Sequence, residues 1–142
     1  MIYLDTSALI KLYLREEGSE DVHRLVTSQD HPLPVWEIQE VELVNALRLK
    51  VFRRELSKAD LERQRALFFK RLDSGQYFYP AIRRSDLMKN FHEVGEWTPI
   101  IGCRTLDLMH VACAVHLQAD LFVTFDQRQR SLAERTGLRC RW

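Results

Sequence analysis

The hydrophobic pattern at the start of the chain predicts a strand that leads into a helix. Residues 2–4 are apolar and prone to form a β-strand, and the polar turn Asp5, Thr6 and Ser7 follows them. Residues 8–14 continue as a helix. Thr6 or Ser7 is its expected N-cap, because hydroxyl oxygens accept hydrogen bonds from the free N–H groups of a first helical turn.

The rest of the chain alternates between helical spacing and short apolar runs. Residues 105–118 carry apolar side chains at positions i, i+3, i+4 and i+7, counted from Leu108, which predicts a helix with one buried stripe. A segment that resembles a capping box in form begins at Ser57 and starts a charged helix that runs to about residue 73. Other helices are predicted at 19–28, 38–53, 85–96 and 127–136, and other strands at 76–79, 121–124 and 138–141, with Gly137 after the last helix.

Strands that alternate with helices indicate an α/β protein, a sandwich whose central sheet is mostly parallel and is flanked by helices. No linker, internal repeat or low-complexity tract interrupts the 142 residues, so one domain over residues 1–142 is expected. With 46% apolar and 29% charged residues, the composition is that of an ordinary globular domain and excludes a disordered or fibrous chain.

The net charge of +1 hides a segregation of acidic and basic zones. Residues 1–47 sum to −6, residues 48–71 to +6, residues 72–127 to −3 and residues 128–142 to +4. Solvated helix faces and contact with a polyanion both explain this pattern. The three cysteines do not make a disulfide framework, and no run of about 18 apolar residues occurs, so a cytoplasmic protein without a membrane span is expected.

Two acidic residues come directly after predicted strands. Asp5 follows the first strand, and Asp126 follows the strand at 121–124. Ligands of parallel sheets bind beyond the carboxyl ends of the strands, and carboxylates gathered there without a basic partner favour a divalent cation. Taken singly, Asp5 also suits a helix N-cap and Asp126 a turn position.

Two further acids lie on predicted helices. Glu42 borders the apolar face of the helix at 38–53, although an ordinary surface glutamate explains it equally well. Asp107 lies in the first turn of the helix at 105–118, where the helix dipole alone favours an acid. His110 is expected to be a partly buried histidine with its hydrogen bonds satisfied, with Asp107 as a candidate partner, and no His and Cys spacing indicates zinc.

The most specific pattern is the order of these acids within short motifs. The motif DTS follows the first strand, RTLDLMHVA spans residues 104–112 and ADLFVTFD spans residues 119–126, with Glu42 on the intervening helix. Together these motifs resemble the PIN-domain ribonucleases, and in particular the VapC toxins of bacterial and archaeal toxin–antitoxin pairs. The resemblance covers essentially the whole chain. It departs from the family at residues 36–39, where WEIQ stands in place of a usual Ser or Thr.

The resemblance implies a single PIN domain that acts as a metal-dependent endoribonuclease on a structured RNA such as tRNA or rRNA. It implies that four catalytic carboxylates hold one or two Mg²⁺ or Mn²⁺ ions: Asp5, Glu42, Asp107 and Asp126. Such ions activate water for in-line attack on a phosphodiester, which leaves a 5′-phosphate and a 3′-hydroxyl. Three hydroxyl groups are candidates to orient the carboxylates or a water: Thr6, Ser7 and Thr124.

Several basic residues are candidates for contacts to RNA phosphates, although solvated helix faces explain most of them as simply: Arg48, Arg53, Arg54 and Arg128. The resemblance also implies a homodimer and a small antitoxin whose extended tail covers the acidic groove. An apolar surface at the second and fourth helices that includes Leu67, Phe68 and Phe69 is compatible with such a segment, and equally with a place in the core.

Other functions fit fewer of these residues. A phosphatase of the haloacid dehalogenase type also has an aspartate after its first strand but requires Asp-x-Asp, and Ser7 breaks that pattern. A receiver-like signalling domain needs an acidic pair, a further aspartate and a late lysine, of which only Asp5 is in place. The alternative to an active nuclease is a PIN-like scaffold that binds RNA or protein without cutting, against which the presence of all four acids argues.

Overall fold

The computed structural model describes all 142 residues, and their contacts divide them into two compact units. The first unit consists of residues 1–8 and 81–142, and the second consists of residues 9–80. In chain order the elements are β1 (Ile2–Leu4), α1 (Thr6–Leu9), a 3₁₀ turn (Ile10–Leu12), α2 (Ser19–Thr27), β2 (Leu33–Pro34), α3 (Glu37–Phe52), α4 (Lys58–Asp73), β3 (Tyr77–Phe78), α5 (Arg84–Gly95), α6 (Thr98–Ile101), α7 (Thr105–His116), β4 (Leu121–Val123), α8 (Gln127–Arg135) and β5 (Cys140–Arg141).

A parallel three-stranded sheet, in the order β1-β4-β5, forms the centre of the first unit. Leu4 pairs with Val123, so the carboxyl ends of β1 and β4 lie side by side. Tyr3 and Phe122 are fully buried, and their rings stack with centroids 5.8 Å apart. This register places the residue after β1 beside the residue after β4, and it thereby determines the geometry of the candidate site.

Helix α7 is the most deeply buried helix of the first unit, where it packs against α5 and α8. The prediction of a single buried stripe is wrong, because every residue from His110 to Ala114 is buried, whereas Val115 is partly exposed. Small side chains explain this burial. Ala112, Cys113 and Ala114 have no exposed surface, and residues of this size let neighbouring elements approach α7 from several sides.

Helix α8 has clear signals at both ends. Asp126 is its N-cap, with Oδ1 accepting from the backbone N–H groups of Arg128 and Gln129. At the other end Gly137 adopts a φ of 85° and donates to Glu134, while the N–H of Leu138 bonds to the carbonyl of Ala133. These two bonds form a Schellman motif, which confirms the position of Gly137 after the helix.

The second unit contains the parallel pair β2 and β3 together with α2, α3 and α4. Pro34 has no N–H to donate, and the backbone bonds of β2 come instead from Leu33 and Val35, 2.9 Å from Gln76 O and Phe78 O respectively. Phe68 of α4 is fully buried, with its ring 5.8 Å from that of Tyr77 and 6.3 Å from that of Tyr13. Phe68 is therefore a core residue, whereas Leu67 and Phe69 are half-buried.

The predicted α/β class is confirmed, because the strands are parallel and helices flank them. The predicted helices and strands fall within a few residues of the observed ones, but the first helix differs. Thr6 and Ser7 lie inside α1 rather than before it, and the helix gives way to a 3₁₀ turn at Ile10. Two elements were not predicted, β2 and α6. None of the helices is both long enough and apolar enough to span a membrane.

Candidate active site

Asp5 lies at the carboxyl end of β1 and is 3% exposed. Its Oδ1 accepts from the backbone N–H of Ala8 at 2.9 Å, so Asp5 caps α1 in place of the predicted Thr6 or Ser7. The hydroxyl of Ser7 donates to both oxygens, at 2.7 and 2.9 Å, and that of Thr124 donates to Oδ2 at 2.7 Å. Hydroxyls and one N–H therefore satisfy this carboxylate without a lysine or arginine.

Burial raises the pKa of Asp5 above its ordinary value, because the charged form loses the solvation that water would provide. The electrostatic interaction with His110 and the hydrogen bonds from Thr124, Ser7 and Ala8 lower it, but burial has the largest effect. The fold thus holds a carboxylate in an environment where a nearby cation would favour its charged form.

Ser7 and Thr124 link Asp5 to the loop that follows β4. The Ser7 Oγ accepts from the backbone N–H of Phe125 at 2.8 Å, and the Thr124 Oγ1 accepts from that of Asp126 at 3.0 Å. Each hydroxyl has a single hydrogen, which is used in the bond to Asp5. These two side chains therefore transmit the position of the β4 loop to the carboxylate at the end of β1.

Asp126 and Asp107 lie on separate helices of the first unit, and Gln129 contacts both. Asp126 is exposed, and its Oδ1 caps α8. Asp107, in the first turn of α7, is half-buried; its Oδ2 accepts from the N–H of Arg104 at 3.0 Å and its Oδ1 from Gln129 Nε2 at 3.3 Å. Burial raises the pKa of the Cys103 thiol, and the charges of Asp107 and Asp126 nearby raise it further.

His110 is buried, as predicted, but its hydrogen-bond partners differ from the expected one. Its Nδ1 lies 3.1 Å from the Tyr3 hydroxyl and its Nε2 lies 3.3 Å from Thr6 Oγ1. Asp107, the candidate partner suggested by its spacing, is bonded to Arg104 and Gln129 instead. His110 therefore faces the β1 end of the site, where it interacts electrostatically with Asp5.

Glu42 belongs to the second unit, on helix α3, and is half-buried. The buried side of this helix includes Leu43, which follows Glu42 in the chain, and Gln39, three residues before it. Gln39 is fully buried, and its Oε1 accepts from the N–H of Trp36 at 2.6 Å at the start of the helix. Glu42 thus follows a well-anchored first turn, at the border of the apolar face where the sequence placed it.

The four arginines predicted to contact RNA are all exposed. Arg128 lies in the first turn of α8, next to the N-cap Asp126. The other three are in the second unit, at or just beyond the end of α3: Arg48, Arg53 and Arg54. Arg54 adopts a φ of 62° as the chain leaves the helix, a conformation that glycine adopts more readily.

Gln129 is the residue at this site that the motifs did not indicate. It is 2% exposed, its Nε2 donates to Asp107, and its Oε1 is buried without a hydrogen-bond partner. A signal was present in the sequence, because Gln129 precedes the apolar residues Leu132 and Ala133 by three and four positions. That spacing places it on the same face of the helix as these buried residues.

The family model of the PIN domain matches residues 2–135. The chain belongs to the PIN domain family. Ribonuclease VapC46 of Mycobacterium tuberculosis is 32% identical to this PIN domain over 147 aligned positions, which cover 96% of the chain and 93% of that protein.

Two solved structures share the PIN-domain fold at low sequence identity. VapC20 of Mycobacterium tuberculosis, described as a toxin that cleaves the sarcin-ricin loop, has a TM-score of 0.65 at 14% identity, covering 92% of this chain and 94% of its own. FitAcB from Neisseria gonorrhoeae has a TM-score of 0.65 at 15% identity, covering 99% and 96%. At these identities the likeness supports the fold, with its parallel sheet and flanking helices.

The residue types at the site of this PIN domain fit a hard divalent cation. Carboxylate and amide oxygens are the ligands that Mg²⁺ and Mn²⁺ prefer, and Asp5 is a buried carboxylate whose hydrogen-bond donors are all neutral. The Gln129 Oε1 is a further buried oxygen that lacks a donor. As the side chains stand, no group of three or more His, Cys, Asp and Glu residues is arranged to hold a metal ion.

Proposed function

We propose that this PIN domain is an endoribonuclease toxin of the VapC type, which requires Mg²⁺ or Mn²⁺ and cleaves a structured RNA such as tRNA or rRNA. Family membership and a relative named as a ribonuclease support nuclease activity. The observation that carries the proposal is the buried Asp5 carboxylate, which neutral donors hold rigidly at the end of β1. A charge buried in this way is costly unless a cation offsets it.

The proposed ligands in the first unit are Asp5, Asp107 and Asp126. Asp5 is fixed by Ser7 and Thr124, and Asp107 by Arg104 and Gln129. Glu42 is proposed as a fourth ligand on the family resemblance alone, and it therefore needs a variant of its own. When bound, a divalent cation would lower the pKa of a coordinated water and stabilise charge on the scissile phosphate.

The residues of the chain have two roles in this proposal. Ser7 and Thr124 orient Asp5, because each hydroxyl is itself held by a backbone N–H of the loop after β4. The exposed arginines bind the RNA backbone through phosphate contacts, which position a substrate without reading its sequence. We expect products with a 5′-phosphate and a 3′-hydroxyl, since the proposed attack is by water on phosphorus.

The proposal includes two protein partners. A cognate antitoxin is expected to cover the acidic site and so inhibit cleavage, and a second copy of the chain is expected to form a homodimer. The resemblance to VapC toxins is the ground for both expectations. Copurification with the product of an adjacent open reading frame tests the first expectation, and sedimentation of the purified chain tests the second.

The experiment is cleavage of total cellular RNA by purified protein, with Mg²⁺, with Mn²⁺ and with EDTA. Asp5→Asn is the test variant, because it keeps the shape of the side chain and removes its charge. Asp30→Asn is the matched control, since Asp30 is an exposed aspartate in a loop. We expect discrete fragments from wild type and Asp30→Asn with metal, and none from Asp5→Asn or with EDTA.

A catalytically inactive scaffold gives a different result in the same experiment. Wild type and Asp5→Asn would then leave the RNA equally intact, and calorimetry would detect no binding of Mn²⁺ to either. Glu42→Gln, assayed alongside, tests the fourth ligand separately. Full cleavage by that variant would remove Glu42 from the ligand set and leave the rest of the proposal standing.

A further inference from the structure

Gln129 occupies a helix position at which glutamine commonly caps the helix N-terminus. It is the third residue of α8 after the N-cap Asp126, and a glutamine there commonly bonds back to the N–H of the N-cap residue. In this chain the N–H of Asp126 already donates to Thr124 Oγ1 at 3.0 Å. The Gln129 side chain is therefore not needed as a cap, and it donates a hydrogen bond to Asp107 instead.

This single residue connects two of the proposed ligands. Its backbone N–H donates to Asp126 Oδ1 at 2.9 Å, and its side-chain Nε2 donates to Asp107 Oδ1 at 3.3 Å. The contact with Asp107 also determines how the amide is oriented, because the opposite orientation would bring its oxygen against a carboxylate oxygen. The Oε1 atom is then the free end of the amide, buried and without a hydrogen-bond partner.

The burial of Gln129 is difficult to explain as packing. The same face of α8 carries Leu132 and Ala133, both fully buried, and a leucine at position 129 would fill a similar volume without burying an amide. A buried acceptor without a donor destabilises the fold. Carboxylates that bind metal ions are commonly held by a hydrogen bond from a neighbouring side chain, as Gln129 Nε2 holds Asp107.

We infer that Gln129 is a positioning residue of the acidic site, which holds Asp107 through Nε2 and offers Oε1 as an acceptor to water bound to the cation. The inference rests on the proposed function for the cation, but the contact between Gln129 and Asp107 does not. Gln129 makes no bond to the reacting phosphate in this proposal. It acts through Asp107 and through the coordinated water.

The test compares Gln129→Leu with Gln127→Leu, which makes the same substitution two residues earlier, at an exposed position of the same helix. Binding of Mn²⁺ is measured by calorimetry without RNA. We expect about a tenfold or greater rise in the Mn²⁺ dissociation constant for Gln129→Leu and no change for Gln127→Leu. RNA cleavage by Gln129→Leu should fall at low Mn²⁺ and recover at high Mn²⁺, and circular dichroism should show the variant folded at both concentrations, because metal binding also rescues a destabilised fold.

Mn²⁺ binding by Gln129→Leu at the wild-type affinity would overturn the inference. If Gln129→Leu does not fold, Gln129→Met replaces it, because its unbranched side chain adapts to the same space. If wild type itself binds no Mn²⁺, the proposed function has failed, and the contact between Gln129 and Asp107 is then tested by unfolding experiments without metal. The unfolding equilibrium constant of the double variant should then differ by at least about threefold from the value expected if the effects of Gln129→Leu and Asp107→Asn were additive. Strict additivity would refute the contact.

Discussion

Replacement of Thr124 by valine removes one hydroxyl and preserves the shape of a fully buried side chain. Two hydrogen bonds are lost, the donation to Asp5 Oδ2 at 2.7 Å and the acceptance from the N–H of Asp126 at 3.0 Å. A hydrogen bond to a charged group contributes about 1.5–3 kcal/mol, and a partly buried N–H left without an acceptor costs roughly 1 kcal/mol. Together these terms predict that Thr124→Val is destabilised by about 3 kcal/mol.

The matched variant is Thr124→Ser, which keeps both hydrogen bonds and loses a single buried methyl group. Its expected cost is about 1 kcal/mol. The hydroxyl is thus expected to contribute about 3 kcal/mol and the methyl group about 1 kcal/mol, so Thr124→Val should be less stable than Thr124→Ser by about 2 kcal/mol. Thr27→Val is a second control, because the exposed Thr27 hydroxyl bonds only to carbonyls of its own helix and its loss should change stability by less than about 0.5 kcal/mol.

Urea unfolding followed by circular dichroism measures these differences. We also expect the melting temperature of Thr124→Val to fall by roughly 6–12 °C, at about 2–4 °C per kcal/mol for a chain of this size. Nuclease activity should fall with it, since the bond from Thr124 lowers the pKa of Asp5 and orients its carboxylate. If Thr124→Val unfolds at the same urea concentration as Thr124→Ser, the hydroxyl does not support Asp5 and the reasoning is refuted.

Three further predictions concern the fold rather than the site. Phe68→Ala should lose about 3–5 kcal/mol of stability in urea unfolding, because Phe68 is fully buried. Phe52→Ala, at an 84% exposed position, should change stability by less than about 0.5 kcal/mol, and equal losses in the two variants would contradict the packing described. Gly137→Ala should lose about 1 kcal/mol, because φ is 85° there and no atom lies within 4 Å of an added Cβ, so a loss far larger than this would point to a clash instead. Burial raises the pKa of Cys140 from 9.0 to about 11, so the free energy of unfolding should fall as pH rises from 9 to 11. This dependence of stability on pH should be weaker in Cys140→Ser, and an identical dependence in both proteins would show that folding does not change the pKa of the thiol.

The first strand, α7 and β4 could be predicted from sequence because contiguous residues carry the pattern in each case. The two-residue strand β2 could not, because its hydrogen bonds depend on β3, more than 40 residues away in the chain. Its sequence also contains Pro34, which usually argues against a strand. Helix α6 could not be predicted for a related reason, because Pro99 would break the interior of a helix although proline suits the first turn.

At the candidate site, sequence could indicate which strand ends carry acids but not which donors hold them. Asp5 and Thr124 are neighbours only because Leu4 pairs with Val123, and a shift of this register by one residue would separate them. The partners of His110 depend on the same tertiary arrangement, so local spacing wrongly suggested Asp107. Gln129 belongs to no short motif, and its only signal in the sequence is its place on the apolar face of α8.

The pairing of β1 with β4 also has a consequence for synthesis on the ribosome. Asp5 and the hydroxyl that holds it are 119 residues apart in the chain. At a translation rate of about 5–20 residues per second, roughly 6–24 s separate their synthesis. A contact between residues so far apart closes a long loop, and the entropy lost in closing it makes such contacts form late in folding. A nascent chain therefore carries Asp5 for several seconds before it can assemble the site around this residue, because β4 has still to be made.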